Sequence, residues 1–216
     1  MTTLHHAPRQ DRSRATLAAI VKATEDLLGE RPFAEVSIAQ IVAAAGCTTG
    51  SFYARFESKE ALLPYLYEKY DAALHARFEA IGAAYDWAAM SLRQTVETLV
   101  AVTVQSYGER PHLMREIMLF ARRSPGSVTE DMRQRRAVLH AAMIDLIARH
   151  GAEITHPDPR RAAAFADFAM TAAARELILF SHTPMNSSSP LEREALEAEL
   201  VRLALGYLQA PSRSAS

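Results

Sequence analysis

An all-α fold is what this 216-residue sequence predicts. Apolar residues recur at helical spacing along the chain, with no convincing run of strand-like alternation. Helix start signals, hydroxyl and carboxylate caps with a proline behind two of them, recur between those stripes. The composition, 49% hydrophobic and 23% charged, gives such helices enough apolar surface to bury one face each. The length fits one large domain or two small ones and supports a sizeable core. A single cysteine, Cys47, excludes a disulfide framework and finger-type zinc. No apolar run approaches a membrane span, and Met1–Gln10 has no secretory h-region, so the expectation is a cytoplasmic protein with no membrane partner. With 24 Lys+Arg against 25 Asp+Glu, net charge −1 does not advertise a polyanionic partner.

The first helix is predicted to open near Asp11. Leu17, Ile20, Val21, Thr24, Leu27 and Leu28 form its stripe, and Gly29 with Pro32 stops it. Ser37 and Gln40 make a capping box, flanked by Val36 and Ile41 at the staple positions, and Gly46 ends that short helix. Thr48 caps another short helix. A long one follows over 58–82, carrying Leu62, Leu66, Tyr70, Leu74, Phe78 and Ile81, with Pro64 kinking or delaying its first turns. The second half reads as helices over 86–107 and 111–123, one opened by Ser127 with Glu130 and closed near Gly151, and one opened by Asp158–Pro159 and reaching about Ser181. Ser189, Pro190 and Glu192 are read as N-cap, N1 and N3 of a last helix striped by Leu196, Leu200, Leu203 and Tyr207. Residues 211–216 read as a frayed tail. The count is about nine helices without an internal repeat.

The informative segment is Ser37–Phe56, a helix, a tight glycine turn and a helix of about two turns, which is helix-turn-helix spacing. That geometry sets the start of the second helix against base edges in a major groove. Thr48, Thr49, Gly50 and Ser51 stand there, small hydroxyls and a glycine suited to close approach, with Tyr53 and Lys59 at phosphate range. From Met1 to Glu60 seven Lys/Arg meet seven Asp/Glu, but Arg9, Arg12, Arg14 and Lys22 face only Asp11 and could form a basic arm. The run from Ile41 to Leu62, IVAAAGCTTGSFYARFESKEAL, resembles the DNA-binding domain of TetR/AcrR-family transcriptional regulators. Gly46, Thr48, Gly50, Tyr53, Phe56, Lys59, Glu60 and Leu62 all sit at matching positions. Arg55 departs from the His or Tyr common there, and a phosphate contact is its expected role.

The resemblance implies DNA contacts at Thr48, Thr49, Gly50, Ser51, Tyr53, Arg55 and Lys59, with Ser37 touching phosphate. It implies double-stranded DNA with a palindromic operator as partner, a small-molecule effector, a homodimer, and more often repression than activation. Residues 1–10 would be a flexible tail, 11–57 the DNA-binding domain, 58–210 the effector and dimer domain, and 211–216 disordered.

Candidate effector-pocket residues are Trp87, Tyr107, Met114, Met118, Phe120, His140, Met143 and Phe168. Arg175 joins them because a buried arginine demands an acid or an anionic ligand. Candidate dimer contacts are Ala166, Ala169 and Ala173 on the 158–181 helix, and Leu196, Leu200, Leu203 and Tyr207 on the last. Plain core is the competing reading for both sets. Glu153 and His156 echo one half of a di-iron motif, but a single pair does not make the site. No catalytic signature, cofactor loop or metal quartet appears, so an all-α binding protein or metalloenzyme without DNA function is the weaker alternative.

Overall fold

A computed structural model describes residues 9–180 and 192–211. Among these are nine α-helices and no strand: α1 (Arg9–Glu30), α2 (Ile38–Ala44), α3 (Thr49–Tyr53), α4 (Leu62–Ala84), α5 (Leu92–Gly108), α6 (Pro111–Arg123), α7 (Glu130–Ala148), α8 (Pro159–Leu179) and α9 (Arg193–Leu208). They form two compact units. One takes the chain up to Lys69 together with His112–Ser127, the other Tyr70–Pro111 and everything from Val128. The first two turns of α4 therefore belong to the first unit and the remainder to the second.

In the first unit α1 buries Ile20, Val21, Ala23 and Leu28. The buried hydroxyl of Thr24 is satisfied by donating to the Ile20 carbonyl at 2.8 Å. Ile41 and Val42 of α2, Phe52 of α3, Phe56, and Leu62, Leu63 and Leu66 of α4 complete the core. Phe52 is fully enclosed, its ring 5.5 Å from Phe56, and truncating it to alanine should cost about 3–5 kcal/mol. α6 adds Leu113, Met114 and Ile117 to the buried set.

The second unit is a bundle of α5, α7, α8 and α9. Val96, Leu99, Val100 and Val104 of α5 pack with Met143 and Ile147 of α7 and with Ala162, Ala163, Ala166, Met170 and Ala174 of α8. The small side chains of α8 admit its neighbours closely. Three of the dimer candidates, Ala166, Leu196 and Leu200, are 2%, 5% and 3% exposed within the single chain and pack in its own core, the competing reading of the sequence.

Helix ends show where cap signals compete. Ser37 with Gln40 forms the expected capping box, and Asp158 accepts from the Arg161 amide at 3.0 Å with Pro159 behind it. α1 begins at Arg9, inside the expected tail, so Arg9, Arg12 and Arg14 lie on its first turns rather than on an arm. α4 begins at Leu62, not at Ser58. Ser58 Oγ instead accepts from the Ala61 amide at 3.3 Å, and Pro64 stands third in the helix, where its missing N–H has no carbonyl to serve. α5 begins at Leu92 because Ser91 and Gln94 form a complete capping box, while Asp86 closes a turn on the Ala88 and Ala89 amides. α7 is capped by Thr129, not by Ser127, which lies in a 3-10 turn over Pro125–Ser127. Ser189 and Pro190 lie outside the described residues, as do His5, His6 and residues 212–216; α9 starts at Arg193 after Glu192.

Candidate nucleic-acid interface and ligand cavity

α2 ends in a Schellman turn. The Cys47 amide donates to the Val42 carbonyl at 3.0 Å and the Gly46 amide to the Ala43 carbonyl at 3.2 Å. Gly46 has φ +63°, the left-handed region that a Cβ disfavours, so the glycine is what lets the chain reverse into α3. Thr48 caps α3, its hydroxyl accepting from the Ser51 amide at 3.1 Å and lying 3.0 Å from the Ser51 hydroxyl. The consequence is a small, polar, outward face. Thr48, Thr49 and Gly50 are exposed, Tyr53 is 54% exposed, and a Cβ placed on Gly50 would meet nothing nearer than the Thr48 hydroxyl at 3.8 Å.

The two cations of this segment are engaged inside the unit. Arg55 donates to the Ser51 carbonyl at 2.7 Å and to the Ser13 carbonyl and hydroxyl at 3.2 and 3.1 Å, pinning α3 to α1. Lys59 donates to the Phe33 and Val36 carbonyls at 2.7 and 2.8 Å and sits 4.4 Å over the Phe33 ring. An ammonium has three donors, so one remains for an outside acceptor. Ser37 is likewise occupied: its amide and its hydroxyl both donate to Gln40 Oε1, at 2.8 and 3.0 Å, and its hydroxyl accepts from the Gln40 amide. Sequence spacing could not show which way these three side chains turn.

The second unit holds a cavity of about 70 Å³, partly open to solvent. Leu74 and Phe78 of α4, Val102 of α5, and Leu139 and Met143 of α7 supply its apolar wall. Tyr70, Thr103, Ser106, Tyr107, Arg136, His140 and Thr171 supply its polar groups. Behind them lie two charge clusters. Asp71, 2% exposed, accepts from Arg135 at 2.7 Å and Arg136 at 3.3 Å. His140 Nδ1 donates to Asp167 Oδ2 at 2.8 Å. Arg175 hydrogen-bonds the phenol of Tyr107.

Of the sequence candidates, Tyr107, His140 and Met143 line this cavity and Arg175 reaches it through Tyr107. The others do not line it. Trp87 packs in the helical core and donates its indole N–H to the Gly82 carbonyl at 3.1 Å. Met114, Met118 and Phe120 lie on α6 in the first unit. Phe168 is 65% exposed. Tyr70, Asp71, Arg136 and Thr171 escaped the sequence reading, although Asp167, Thr171 and Arg175 are spaced i, i+4, i+8 on an otherwise alanine-rich helix, a stripe visible in the sequence. Among the described residues no group of three or more His, Cys, Asp or Glu could hold a metal ion. Glu153 instead accepts from the Leu92 amide at 3.2 Å, and His156 from the Asp158 amide at 3.0 Å. No described helix is long and apolar enough to cross a membrane.

Burial raises the pKa of both cavity phenols from the ordinary 10.0; Arg175, close to Tyr107 and bonded to it, opposes the rise there. Below pH 10 both phenols are protonated whether the chain is folded or not. Above it the unfolded chain releases protons that the folded chain retains, so the folded state loses stability as pH rises. Urea unfolding between pH 8 and 11 should show stability falling above about pH 10, and Tyr70→Phe should flatten that fall.

Residues 20–66 match the profile of bacterial regulatory proteins of the tetR family, and residues 91–208 match the tetracyclin repressor-like C-terminal domain. The chain belongs to the TetR family. It is a DNA-binding transcriptional regulator. Solved structures carry the same fold. A TetR/AcrR-family regulator from Thermobifida fusca YX-ER1 is 23% identical, with 94% of this chain and 100% of that chain covered and a TM-score of 0.63. A tetR-family regulatory protein from Rhodococcus RHA1 is 19% identical over 90% and 97% of the two chains, TM-score 0.61. The Bacillus subtilis regulator FadR, solved with stearoyl-CoA, is 15% identical over 88% and 98%, TM-score 0.55. No curated protein matches the sequence.

Proposed function

We propose that this TetR-family regulator is a cytoplasmic homodimeric repressor that leaves a palindromic operator when a small molecule enters the cavity of its second unit. Its action in this reading is binding alone. The observation that carries the DNA half is the exposed face of α3, Thr48, Thr49, Gly50 and Tyr53, held at the end of a rigid Schellman turn. Hydroxyls and a phenol there can reach bases and phosphates at no conformational cost to the unit. Because Arg55 and Lys59 are largely spent on internal contacts, few phosphate cations remain per subunit. Tight binding then comes from two linked half-sites about 34–36 Å apart.

The release half rests on α4. Its first turns bury Leu62, Leu63 and Leu66 in the DNA-binding unit, and its later turns give Tyr70, Leu74 and Phe78 to the cavity wall. A ligand that binds the two positions of this helix unequally shifts the spacing of the recognition helices and lowers operator affinity.

The test is a mobility shift on the promoter beside the regulator's own gene. Tyr53→Ala should leave the melting temperature unchanged, since the ring is more than half exposed, and should weaken binding about tenfold, the equivalent of ~1.4 kcal/mol. Because a phenol carries no charge, the salt dependence of binding should keep its slope. Intact affinity in Tyr53→Ala would mean that α3 does not face the DNA as assigned.

A further inference from the structure

We propose that the cavity is built for a compact organic carboxylate, one acid group on a short aliphatic body that reaches toward the cavity's open side. This rests on the reading that the cavity is the effector site, and it names the chemistry of what enters.

Size comes first. An apolar cavity of about 150 Å³ admits benzene, and the 70 Å³ available here is about half of that. A long acyl chain cannot be held inside without displacing Leu74, Phe78, Val102, Leu139 or Met143, the apolar wall that a short body would cover.

Charge and hydrogen bonding select the head group. Around the cavity three guanidiniums, Arg135, Arg136 and Arg175, meet two carboxylates, Asp71 and Asp167. The sum is one positive charge with His140 neutral and two with it protonated. Arg77, close to Tyr70, is balanced by Glu109 at 2.9 Å and adds nothing. Asp71 already accepts from both of its arginines, and Asp167 is not at the cavity wall; its Oδ2 is taken by His140, and its buried Oδ1 has no hydrogen-bond partner among the described residues.

Three groups that reach the wall are donors, while the Thr103 and Ser106 hydroxyls, which already donate to the Leu99 and Val102 carbonyls, and His140 Nε2 offer only acceptors. Tyr70 and Tyr107 keep their protons because burial disfavours the phenolate, and Arg136 is cationic. The Thr171 hydroxyl is buried and has no hydrogen-bond partner among the described residues, though it lies on a residue that lines the cavity. A buried hydroxyl left unpaired is costly, and it is retained where a ligand completes it. An acceptor-only head of negative charge satisfies the phenols, the guanidinium and the Thr171 hydroxyl together. An amine meets the surplus positive charge, and a neutral amide leaves it uncompensated.

The experiment is calorimetric titration of the full-length regulator with butyrate, isovalerate, butyramide, butylamine and octanoate. Each ligand that binds is then added to the operator complex. Two variants accompany the wild type: Val102→Phe, which fills the cavity, and Thr171→Val, which removes the hydroxyl at nearly constant volume and keeps the test alive should Val102→Phe not fold. A short acid should bind wild type and dissociate the operator, with butyramide at least tenfold weaker, octanoate weaker and butylamine inert. Thr171→Val should bind the acid about tenfold more weakly while melting at or above the wild-type temperature. Butyramide equal to butyrate, or octanoate preferred, with binding lost in Val102→Phe, overturns the carboxylate and keeps the cavity as the site. Acid binding unchanged in both variants overturns the cavity as the site as well. No binding by either short acid overturns the proposal.

Discussion

Asp71→Asn should destabilise the second unit by about 2–4 kcal/mol, the largest single-residue polar effect expected in the molecule. The Asp71 side chain is 2% exposed and each of its oxygens takes one guanidinium, Oδ2 from Arg135 at 2.7 Å and Oδ1 from Arg136 at 3.3 Å. Asparagine has the same size but no charge, so two neighbouring arginines of α7 lose their shared counterion and repel across a short distance. A fully buried pair broken in this way costs about 3–5 kcal/mol. Here the arginine side chains are 32% and 29% exposed, water screens part of the repulsion, and the figure is reduced accordingly. At about 2–4 °C per kcal/mol for a chain of this size, the melting temperature should fall by roughly 5–15 °C. Urea unfolding measures the loss directly. Replacing Arg135 and Arg136 by methionine in the same background should recover much of it, because the cost lies in the uncompensated charges and not in lost packing. A midpoint unchanged by Asp71→Asn would show that the ion cluster is neutral to folding. Since Arg136 also lines the cavity, the variant should in addition disturb ligand binding.

The sequence made the DNA-binding segment legible in detail because its signals are local. A capping box at Ser37 and Gln40, a turn glycine at Gly46 and a hydroxyl cap at Thr48 each constrain backbone within four residues, and all three stand where spacing put them. The same rule misled where two local signals compete. Ser127 with Glu130 looked the better box, but Thr129 caps α7 and leaves Pro125–Ser127 to its own 3-10 turn. At α5 the box of Ser91 and Gln94 outweighs the lone Asp86.

Long side chains were beyond local reading. Whether Arg55 or Lys59 points to solvent or back to Ser13, Phe33 and Val36 depends on residues more than twenty positions away. The cavity was half legible for a related reason. Periodicity shows that Tyr107, His140 and Met143 face inward, but not that packing around them stops short. Phe168 illustrates the converse, an aromatic at helical spacing on a helix whose alanines, not its phenylalanines, face the core.

Phe168→Glu should convert the regulator to a monomer and reduce operator affinity by about 10²–10⁴. Three large apolar side chains stay exposed on α8 and α9: Phe165 at 53%, Phe168 at 65% and Leu203 at 49%. Phe165 packs its ring 4.9 Å from that of Tyr207, one turn along α9 from Leu203, so the two helices present these residues from adjoining surfaces. A contiguous apolar face of this kind is expensive in water and marks a partner site. A second copy is the partner expected here, since its pairing would also serve two half-sites. In a two-fold contact each residue meets the same surface twice, and one glutamate per chain therefore buries two carboxylates without counterions. The single chain loses nothing by the change, because Phe168 contributes little to its own core. What is lost is the linkage that makes the second half-site contact intramolecular. Sedimentation velocity at micromolar concentration should show the wild type as a dimer and Phe168→Glu as a monomer of unchanged helicity, with the mobility shift weakened in step. A dimeric Phe168→Glu with full operator affinity would place the subunit contact elsewhere, since no pairing through this face could absorb the two charges.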